Sequence, residues 1–408
     1  MAAIASYAST PAITPAPFAQ SRKVLLSALT LLAKFTDRRS SLAVLADLRL
    51  DFNDGRQRIQ ATDLNNSVSY FAPPGDTGAA VHGVTVNAKL LTDMVKSASG
   101  AEVILSKSGT GITVASNGAD MSLLGTGQDF PKVPELLADM ASYDTVDAEI
   151  LRAGIERCIH AVCRDETRFH MNGVYIGGNG NQHTLVSTDG HRLIKVCDTV
   201  PNSRALNGKG ILPTAACKLL CEIAKRADAV RTKVKGTMLH VIALCGDGAR
   251  WEASFKMIDA EFPPWERVIP TNYGKLCTVE RKPLISALKR AKALCTATRG
   301  ALLKIASGKL VVTSDHPDSG SISEALTAEG QWVEEGGELT FGICASYLLD
   351  AIEQIDCPHV TLTFGEPEEK GDHKGEYLSP VIVRGTHDQV EYSVTGSHQI
   401  EVIMPMRV

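Results

Sequence analysis

The sequence has no long uninterrupted run of apolar residues. A helix that spans a bilayer needs about 20 consecutive, mostly apolar residues, and no segment of the 408 residues approaches that length. We therefore expect no interaction with a membrane. The first segment, Met1–Gln20, is rich in Ala, Ser, Thr and Pro and contains no Lys or Arg. A secretory signal needs a basic stretch before its apolar run, so we expect residues 1–19 to be a disordered extension of a cytoplasmic protein.

Motifs that bind metals or nucleotides, or that activate a nucleophile, are also missing. The ten cysteines include no Cys-x-x-Cys pair, and the chain has no His-Glu-x-x-His, Gly-x-Ser-x-Gly or Gly-x-x-x-x-Gly-Lys-Ser/Thr motif. We expect the cysteines on predicted helices, such as Cys158 and Cys217, to be small buried apolar residues in a reducing compartment. No cofactor and no metal site is predicted.

The chain has little excess charge of either sign. Its formal net charge is -4, which argues against a uniformly basic DNA-binding protein. A protein whose basic residues are gathered on one surface remains compatible with this value.

The sequence contains one pattern that occurs three times. Apolar residues at helical spacing predict helices in pairs, with alternating β-branched stretches between and after them. The predicted helices lie at about 21–34 and 88–98, 148–164 and 214–226, and 282–295 and 345–355. Proline-containing segments at 129–134 and 261–270 cannot continue a regular strand ladder. We therefore predict three α+β domains of ordinary size, at 20–134, 135–270 and 271–408, each with two helices packed on antiparallel sheets.

Five of the six predicted helices carry spaced basic residues opposite their apolar stripe. These residues are Lys23, Lys34, Lys89, Lys96, Arg157, His160, Arg164, Lys218, Lys225, Lys282, Lys289 and Arg290. Basic groups at such spacing suit DNA phosphates, which hold a duplex without reading its bases and let a protein slide along it. Any one helix could carry these residues as an ordinary solvated surface, and the sixth helix, with Asp350 and Glu353, does not share the pattern.

Three sets of motifs resemble the bacterial DNA polymerase III beta subunit family. Ser187–Leu193, preceded by Arg168 and Met171–Val174, resembles the middle domain of that family. Glu261–Pro263 with Arg267–Pro270 is similar to the second domain boundary, and Val402–Val408 is similar to the C-terminal motif. The similarity runs from about Ser21 to Val408, with the motifs in the family's order.

The resemblance implies a DNA sliding clamp, a processivity factor without a catalytic site. It implies the DNA clamp fold and a head-to-tail homodimer that forms a ring around double-stranded DNA, independent of sequence. The implied partners are the DNA polymerase III alpha subunit, the clamp loader delta subunit and other replication and repair proteins with clamp-binding motifs. Dimer-interface positions are implied at Met121, Leu123 and Leu294.

The resemblance also implies a partner-peptide groove and further DNA contacts. The groove residues would be Met171, Thr188, Gly190, His191, Arg192, Leu193, Pro263, Arg267, Val268, Pro380, Val402, Met404, Pro405, Met406, Arg407 and Val408. The added DNA contacts would be Arg39, Arg168, Phe169, His170 and Arg299. Methionines near the chain end suit a wall that adapts to several partners. The sequence departs from the family's pattern at Val408, where leucine is common, and in the charged insert 366–376.

Three other interpretations remain open at this point. Asp189 and His191, two residues apart on a predicted strand, could serve a hydrolase by acid–base chemistry. A diverged clamp paralogue could encircle DNA in the service of drug resistance or a mobile element. A scaffold that forms no ring would stay monomeric and would not be retained on circular DNA.

Overall fold

The computed structural model describes residues 18–53, 56–73, 81–136, 141–179, 182–199, 208–270, 275–296, 300–306, 308–329, 338–364, 379–387, 390–391 and 397–406. Most of the predicted N-terminal extension, the insert 366–376, Arg299, Arg407 and Val408 lie outside these residues. None of the described helices is long and apolar enough to cross a membrane.

The described residues form six α-helices, close to the predicted positions. They are α1 (Arg22–Leu32), α2 (Ala88–Ser97), α3 (Ala148–Cys158), α4 (Thr214–Ala224), α5 (Arg281–Lys292) and α6 (Ala345–Glu353). Shorter 3-10 turns lie at Ala33–Phe35, Ala43–Ala46, Ile159–Ala161, Glu166–Met171 and Trp265–Val268. The third predicted helix is therefore shorter than expected, because a 3-10 turn follows α3 and ends at Ala161.

Between and after the helices of each repeat lie strands, as predicted, and a strand that was not predicted also precedes the first helix of each repeat. The described residues form 25 strands. They are β1 (Phe18–Ser21), β2 (Asp47–Asn53), β3 (Arg56–Thr62), β4 (Asn66–Phe71), β5 (Val81–Asn87), β6 (Glu102–Ser108), β7 (Gly111–Ser116), β8 (Ala119–Leu123), β9 (Asp144–Val146), β10 (Gly173–Asn179), β11 (Gln182–Thr188), β12 (Arg192–Thr199), β13 (Gly210–Pro213), β14 (Ala229–Lys235), β15 (Met238–Leu244), β16 (Arg250–Lys256), β17 (Lys275–Glu280), β18 (Ala301–Ala306), β19 (Lys309–His316), β20 (Gly320–Glu329), β21 (Leu339–Ile343), β22 (His359–Phe364), β23 (Val381–His387), β24 (Val390–Glu391) and β25 (Ser397–Ile403). Every strand pairing with a given register is antiparallel, as in β10 with β11 and β22 with β23.

Local chemistry explains where two of the helices begin. Asn87 caps α2, because its side chain accepts hydrogen bonds from the backbone amides of Lys89 and Leu90. Asp147 caps α3 in the same way, by accepting from the amide of Ile150. The predicted apolar stripes are buried: Leu25, Leu29 and Leu32 of α1 and Leu284 and Leu288 of α5 are all fully buried. Their burial supplies most of the stability of these helices.

The described residues divide into two compact units. The first comes from Met1–Tyr143, Glu222–Arg231 and Leu239–Phe255, and the second from Asp144–Cys221, Thr232–Met238 and Lys256–Val408. In the first unit, one sheet has the order β1-β6-β7-β8, and in another the strands β5, β2, β3, β4, β16 and β15 follow one another. Tyr70 and Trp251 pack with ring centroids 4.5 Å apart where β4 meets β16.

The second unit contains one continuous sheet. Its order is β13-β10-β11-β12-β25-β23-β22-β17-β20-β19-β18-β21, with β24 beside β23. Strand β12 from the second predicted domain pairs with the last strand, β25, from Arg192 opposite Ile403 to Asp198 opposite Ser397. On its other side β25 pairs with β23. The second and third predicted domains therefore share a sheet.

The two joints between repeats are built alike. In the first unit the fourth strand of the first repeat, β4, pairs with β16, the last strand of the second repeat. In the second unit β12 and β25 occupy the matching places in the second and third repeats. Two strands in corresponding positions take part in neither joint. They are β8, the last strand of the first repeat, which lies at the end of its sheet, and β20, the fourth strand of the third repeat. Within the described residues, β20 pairs with β19 along most of its length but with β17 only through Ala328 and Glu329.

Candidate functional site

An apolar cluster lies on one face of the sheet around β12 and β25. Its buried members are Val186, Leu193, Ile211, Phe262, Ile382 and Val402. Around them are partly buried apolar residues: Tyr175, Ile258, Ala260, Trp265, Ile269 and Ile400. The strands supply alternate residues to this face because successive side chains point to opposite sides. We call these twelve residues the apolar strip, and its partly exposed rim is a surface suited to an apolar guest.

The segment after β25, Met404–Met406, is fastened by its backbone and is called the tail here. The amide of Met404 donates to the carbonyl of His191 at 2.9 Å, and the amide of Met406 donates to the carbonyl of Gly342 at 2.8 Å. All three tail side chains remain partly exposed. The tail therefore presents two flexible thioethers from a fixed backbone.

The turn between β11 and β12 is shaped by Asp189. One of its carboxylate oxygens accepts from the amides of His191 and Arg192 at 2.9 and 3.0 Å. Gly190 has a φ of +90°, a region in which other residues are strained. The expectation that Asp189 and His191 lie on a strand is wrong, because β11 ends at Thr188 and β12 begins only at Arg192. The carboxylate stabilises the turn by accepting these two hydrogen bonds, as in an Asx turn.

Arg192 is the polar centre of this region. Its guanidinium contacts Asp189 at 3.0 Å, Asp350 of α6 at 2.8 Å and the carbonyl of His160 at 2.6 Å. It also lies 4.4 Å from the ring centroid of Tyr347. Burial opposes the charge, but the two carboxylates outweigh it, so the pKa of Arg192 is raised. This arginine joins elements of the second and third repeats.

The described groove residues predicted from the resemblance fall into three groups by exposure. Met171, Thr188, Leu193 and Val402 are buried. Arg192, Pro263, Pro380 and the tail residues Met404, Pro405 and Met406 are partly exposed. Gly190, His191, Arg267 and Val268 are exposed, Val268 to 41%. The prediction omitted Tyr175, Trp265 and Tyr347, although alternation along β10 and the Pro-Pro-Trp sequence gave usable signals for the first two.

The loop Glu166–Met171 lies beside the same turn. Asp165 caps it by accepting from the amide of Thr167 at 3.0 Å. Arg168, predicted to contact DNA, pairs with Asp165 at 3.2 Å and donates to the carbonyl of Asp189 at 3.1 Å. Phe169 is 55% exposed and its ring lies edge-on to His170 at 5.9 Å.

The predicted basic surface is largely exposed. Within the described part of the chain, Lys89, Lys96, Lys218 and Lys282 are exposed and make no ion pair. Four other basic residues of the helix faces are held by acids. Glu222 pairs with Lys34 and Lys225, Glu353 of α6 pairs with Lys289, and Glu324 of β20 pairs with Arg290. Arg39 and Arg164 are exposed, and Arg157 is half-buried.

His160 does not belong with the outward-facing basic residues. Only 11% of its side chain is exposed, and its Nε2 lies 3.3 Å from a carboxylate oxygen of Glu401. The helical projection failed here because α3 ends at Cys158 and the 3-10 turn that follows rotates the side chain inward.

The predicted interface residues lie on or near exposed edges. Met121 and Leu123 belong to the edge strand β8, the first half-buried and the second buried. Leu294 follows α5 and is half-buried. The neighbouring Leu124 is 79% exposed and was not predicted. An exposed leucine beside an open strand edge indicates a protein contact.

Comparisons with known proteins assign the family. Models of the DNA polymerase III beta subunit match residues 17–134 (N-terminal domain), 145–264 (central domain) and 266–371 (C-terminal domain). A beta sliding clamp from Pseudomonas putida is 26% identical over 397 residues, covering 96% of this chain and 100% of the relative. One from Caulobacter vibrioides is 26% identical over 402 residues, covering 95% and 98%.

Solved structures show the same fold. The DNA polymerase III beta subunit of Thermotoga maritima matches with a TM-score of 0.80 and 20% identity, over 96% of this chain and 99% of that one. A sliding clamp from Pseudomonas aeruginosa bound to griselimycin matches with a TM-score of 0.81 and 24% identity, over 97% and 100%. The fold and its repeats define a three-domain DNA clamp. The chain belongs to the DNA polymerase III beta subunit family of sliding clamps, which are accessory subunits and not enzymes.

Proposed function

We propose that two copies of this chain join head to tail into a ring around double-stranded DNA and tether a polymerase to it. The observation that carries this proposal is the matching pair of joints. Strand β4 pairs with β16, and β12 pairs with β25, so the same rule would pair β20 of one copy with β8 of the other. Head-to-tail contacts make a closed ring when the rotation between copies closes, and we propose that it closes with two copies. The domain limits 20–134, 135–270 and 271–408 belong to this proposal, and the extents of the family models support them.

The exposed lysines support loose, sequence-independent contact with the duplex. Lys89 and Lys96 lie on α2, Lys218 on α4 and Lys282 on α5, so each of the three repeats carries at least one of them. Contacts to phosphates alone carry no base information. Arg39, Arg164, Arg168 and Phe169 would add contacts from loops. Retention would then depend on encirclement and not on affinity.

The apolar strip and the tail would bind short peptides of the clamp's partners. An extended peptide could bury its apolar side chains against Trp265, Val268 and the tail methionines, while His191 and Arg192 offer polar contacts at the edge. We expect the DNA polymerase III alpha subunit, the clamp loader delta subunit and other proteins with clamp-binding motifs to use this site in turn. Tethering raises the polymerase's effective concentration at the primer end. We place the protein in the cytoplasm, where its ten cysteines, none of which forms a disulfide, would stay reduced.

Retention on DNA of different topology tests the proposal. The protein is placed on nicked circular DNA by a clamp loader, washed in high salt, and assayed again after the DNA is cut once. A ring survives the salt on circles and runs off linear molecules. If salt removes the protein equally from circles and linear DNA, binding is electrostatic and encirclement is wrong. A monomeric scaffold would fail already on circles.

A further inference from the structure

A fully buried carboxylate lies in the middle of the shared sheet. Glu401 of β25 has no exposed side-chain area and is flanked on one side by Ile194 of β12 and on the other by Val383 of β23. One of its oxygens accepts from the side-chain amide of Gln399 at 3.2 Å. A carboxylate in such a place is costly unless it is paired. Glu401 belongs neither to the proposed DNA-binding surface nor to the apolar strip.

The partner of this carboxylate is His160, from the turn after α3. Its Nε2 lies 3.3 Å from the second oxygen of Glu401, although their alignment falls outside ordinary hydrogen-bond geometry. Neither atom has another hydrogen-bond partner among the described residues, so at 3.3 Å each is the electrostatic partner of the other. The other ring nitrogen, Nδ1, lies 2.6 Å from the carbonyl of Arg157.

The geometry fixes where the protons must be. A carbonyl oxygen can only accept, so Nδ1 carries hydrogen and donates to Arg157. Nε2 then faces a carboxylate oxygen, and the contact is attractive only if a proton lies between them. Burial and the positive charge of Arg192 oppose that proton, but Glu401 and the Arg157 carbonyl outweigh them, so the pKa of His160 is raised.

The charged groups around His160 lie between the proposed DNA-binding residues of α3 and the proposed peptide site at the tail. Arg192 of β12 donates one hydrogen bond to the carbonyl of His160, and its other two nitrogens donate to Asp189 and Asp350. Glu401 is three residues before Met404, whose amide is fastened to His191. His160 follows α3, whose basic residues we place near DNA. The pair thus connects the end of α3 with the strand that leads into the tail.

We propose that His160 and Glu401 are a proton-dependent pair of positioning residues that holds β25, and through it the tail, in the arrangement that binds partner peptides. The role in peptide binding rests on the proposed function, whereas the positioning of the tail does not. When His160 is protonated the pair is attractive. When the proton leaves, a buried carboxylate faces a nitrogen lone pair, and β25 loosens at this point.

The sign of the pH dependence follows from the raised pKa. The pair's stabilisation is fully present below the ordinary histidine pKa of about 6.5 and is lost as pH rises through the raised value in the folded protein. Peptide affinity should therefore fall between pH 6 and pH 8.5. We expect roughly a tenfold loss, within the ordinary range of coupling between two sites of ~5–150-fold.

The first experiment measures peptide binding in the full-length protein by fluorescence anisotropy. The probe is a labelled clamp-binding peptide of a DNA polymerase III alpha subunit that contains no histidine, with griselimycin as competitor. The variants are His160→Gln and Glu401→Gln, and the matched control is His316→Gln on β19. The wild type and the control should lose affinity with rising pH, while both variants bind about tenfold more weakly at pH 6 and show no pH dependence. Equal pH profiles in wild type and His160→Gln would overturn the proposal.

A second experiment needs no peptide. Hydrogen exchange at the amides of Met404 and Met406, corrected for the intrinsic rate, reports how firmly the tail is held. Protection should fall about tenfold from pH 6 to pH 8.5 in the wild type, and should already be low at pH 6 in His160→Gln. Unchanged protection in His160→Gln refutes the positioning role. If the wild type binds no peptide at any pH but the exchange behaves as expected, the proposed function fails and the positioning role stands.

Discussion

Replacing Arg192 with alanine removes the polar centre between the second and third repeats. Only 9% of its side chain is exposed, and it makes three hydrogen bonds of 3.0, 2.8 and 2.6 Å. Its loss leaves the carboxylate of Asp189, which is 15% exposed, and the carbonyl of His160 without their cation. Breaking a buried pair in this way costs about 3–5 kcal/mol.

Solvation of one partner lowers that figure. Asp350 is 36% exposed, so water can replace its contact with Arg192. We therefore expect Arg192→Ala to lower the free energy of unfolding by about 3 kcal/mol, at the low end of the range for a buried pair. Arg192→Lys keeps the charge but not the fork that contacts three groups, and should lie between the wild type and the alanine variant.

Urea unfolding followed by tryptophan fluorescence measures this effect, because Trp265 belongs to the same unit. With a slope of about 3 kcal/mol/M, the midpoint should fall by about 1 M. The matched control is Arg290→Ala, which removes an arginine that is 50% exposed and pairs with Glu324 at 2.6 Å. An exposed pair contributes only about 0.2–1 kcal/mol. If the two alanine variants shift the midpoint equally, the burial argument for Arg192 is refuted.

Three further outcomes are expected. The double change Lys89→Glu and Lys218→Glu should weaken binding to duplex DNA. It should also reduce the slope of the logarithm of the binding constant against the logarithm of the salt concentration by about 0.9 for each lost phosphate contact. Lys309→Glu on β19 is the control, and an unchanged slope in the double variant would contradict the assigned surface. Leu124→Asp should raise the dissociation constant of the dimer roughly thirtyfold, or about 2 kcal/mol, in sedimentation experiments. The control Leu64→Asp, at a leucine that is also exposed, should not. A dimer unaffected by Leu124→Asp argues against pairing at β8. Burial raises the pKa of Cys277 to about 12, so its thiolate is scarce at pH 8. Mass spectrometry should therefore find Cys277 unmodified by iodoacetamide unless urea is added. Equally fast labelling without urea would show that the site opens.

The regular part of this fold could be predicted from the sequence, because it depends on local spacing. The apolar stripes of α1 and α5 and the capping residues Asn87 and Asp147 mark their elements without any long-range information. Pairing between distant strands is different. Nothing near Leu193 indicates that Val402 lies opposite it in β25, so the shared sheet could not be derived from periodicity.

The candidate site shows the same limit. Gly190 in its turn was predictable, because a glycine after an aspartate is typical of such turns. The inward position of His160 was not, because it depends on a 3-10 turn that changes the direction of one side chain. Glu401 was missed for a related reason: in a strand of alternating residues, a charged one is expected to face water, whereas this one meets His160 from another repeat.

The pairing of β12 with β25 has a consequence for synthesis of the protein. At ~5–20 residues per second, a ribosome makes β25 about 10–40 s after β12. During that time β12 has an open edge whose backbone groups can pair with another chain. The nascent second repeat is therefore exposed to misassembly until the last strand emerges. Chaperones that shield strand edges should matter more for this chain than for a protein of similar size whose neighbouring strands are consecutive.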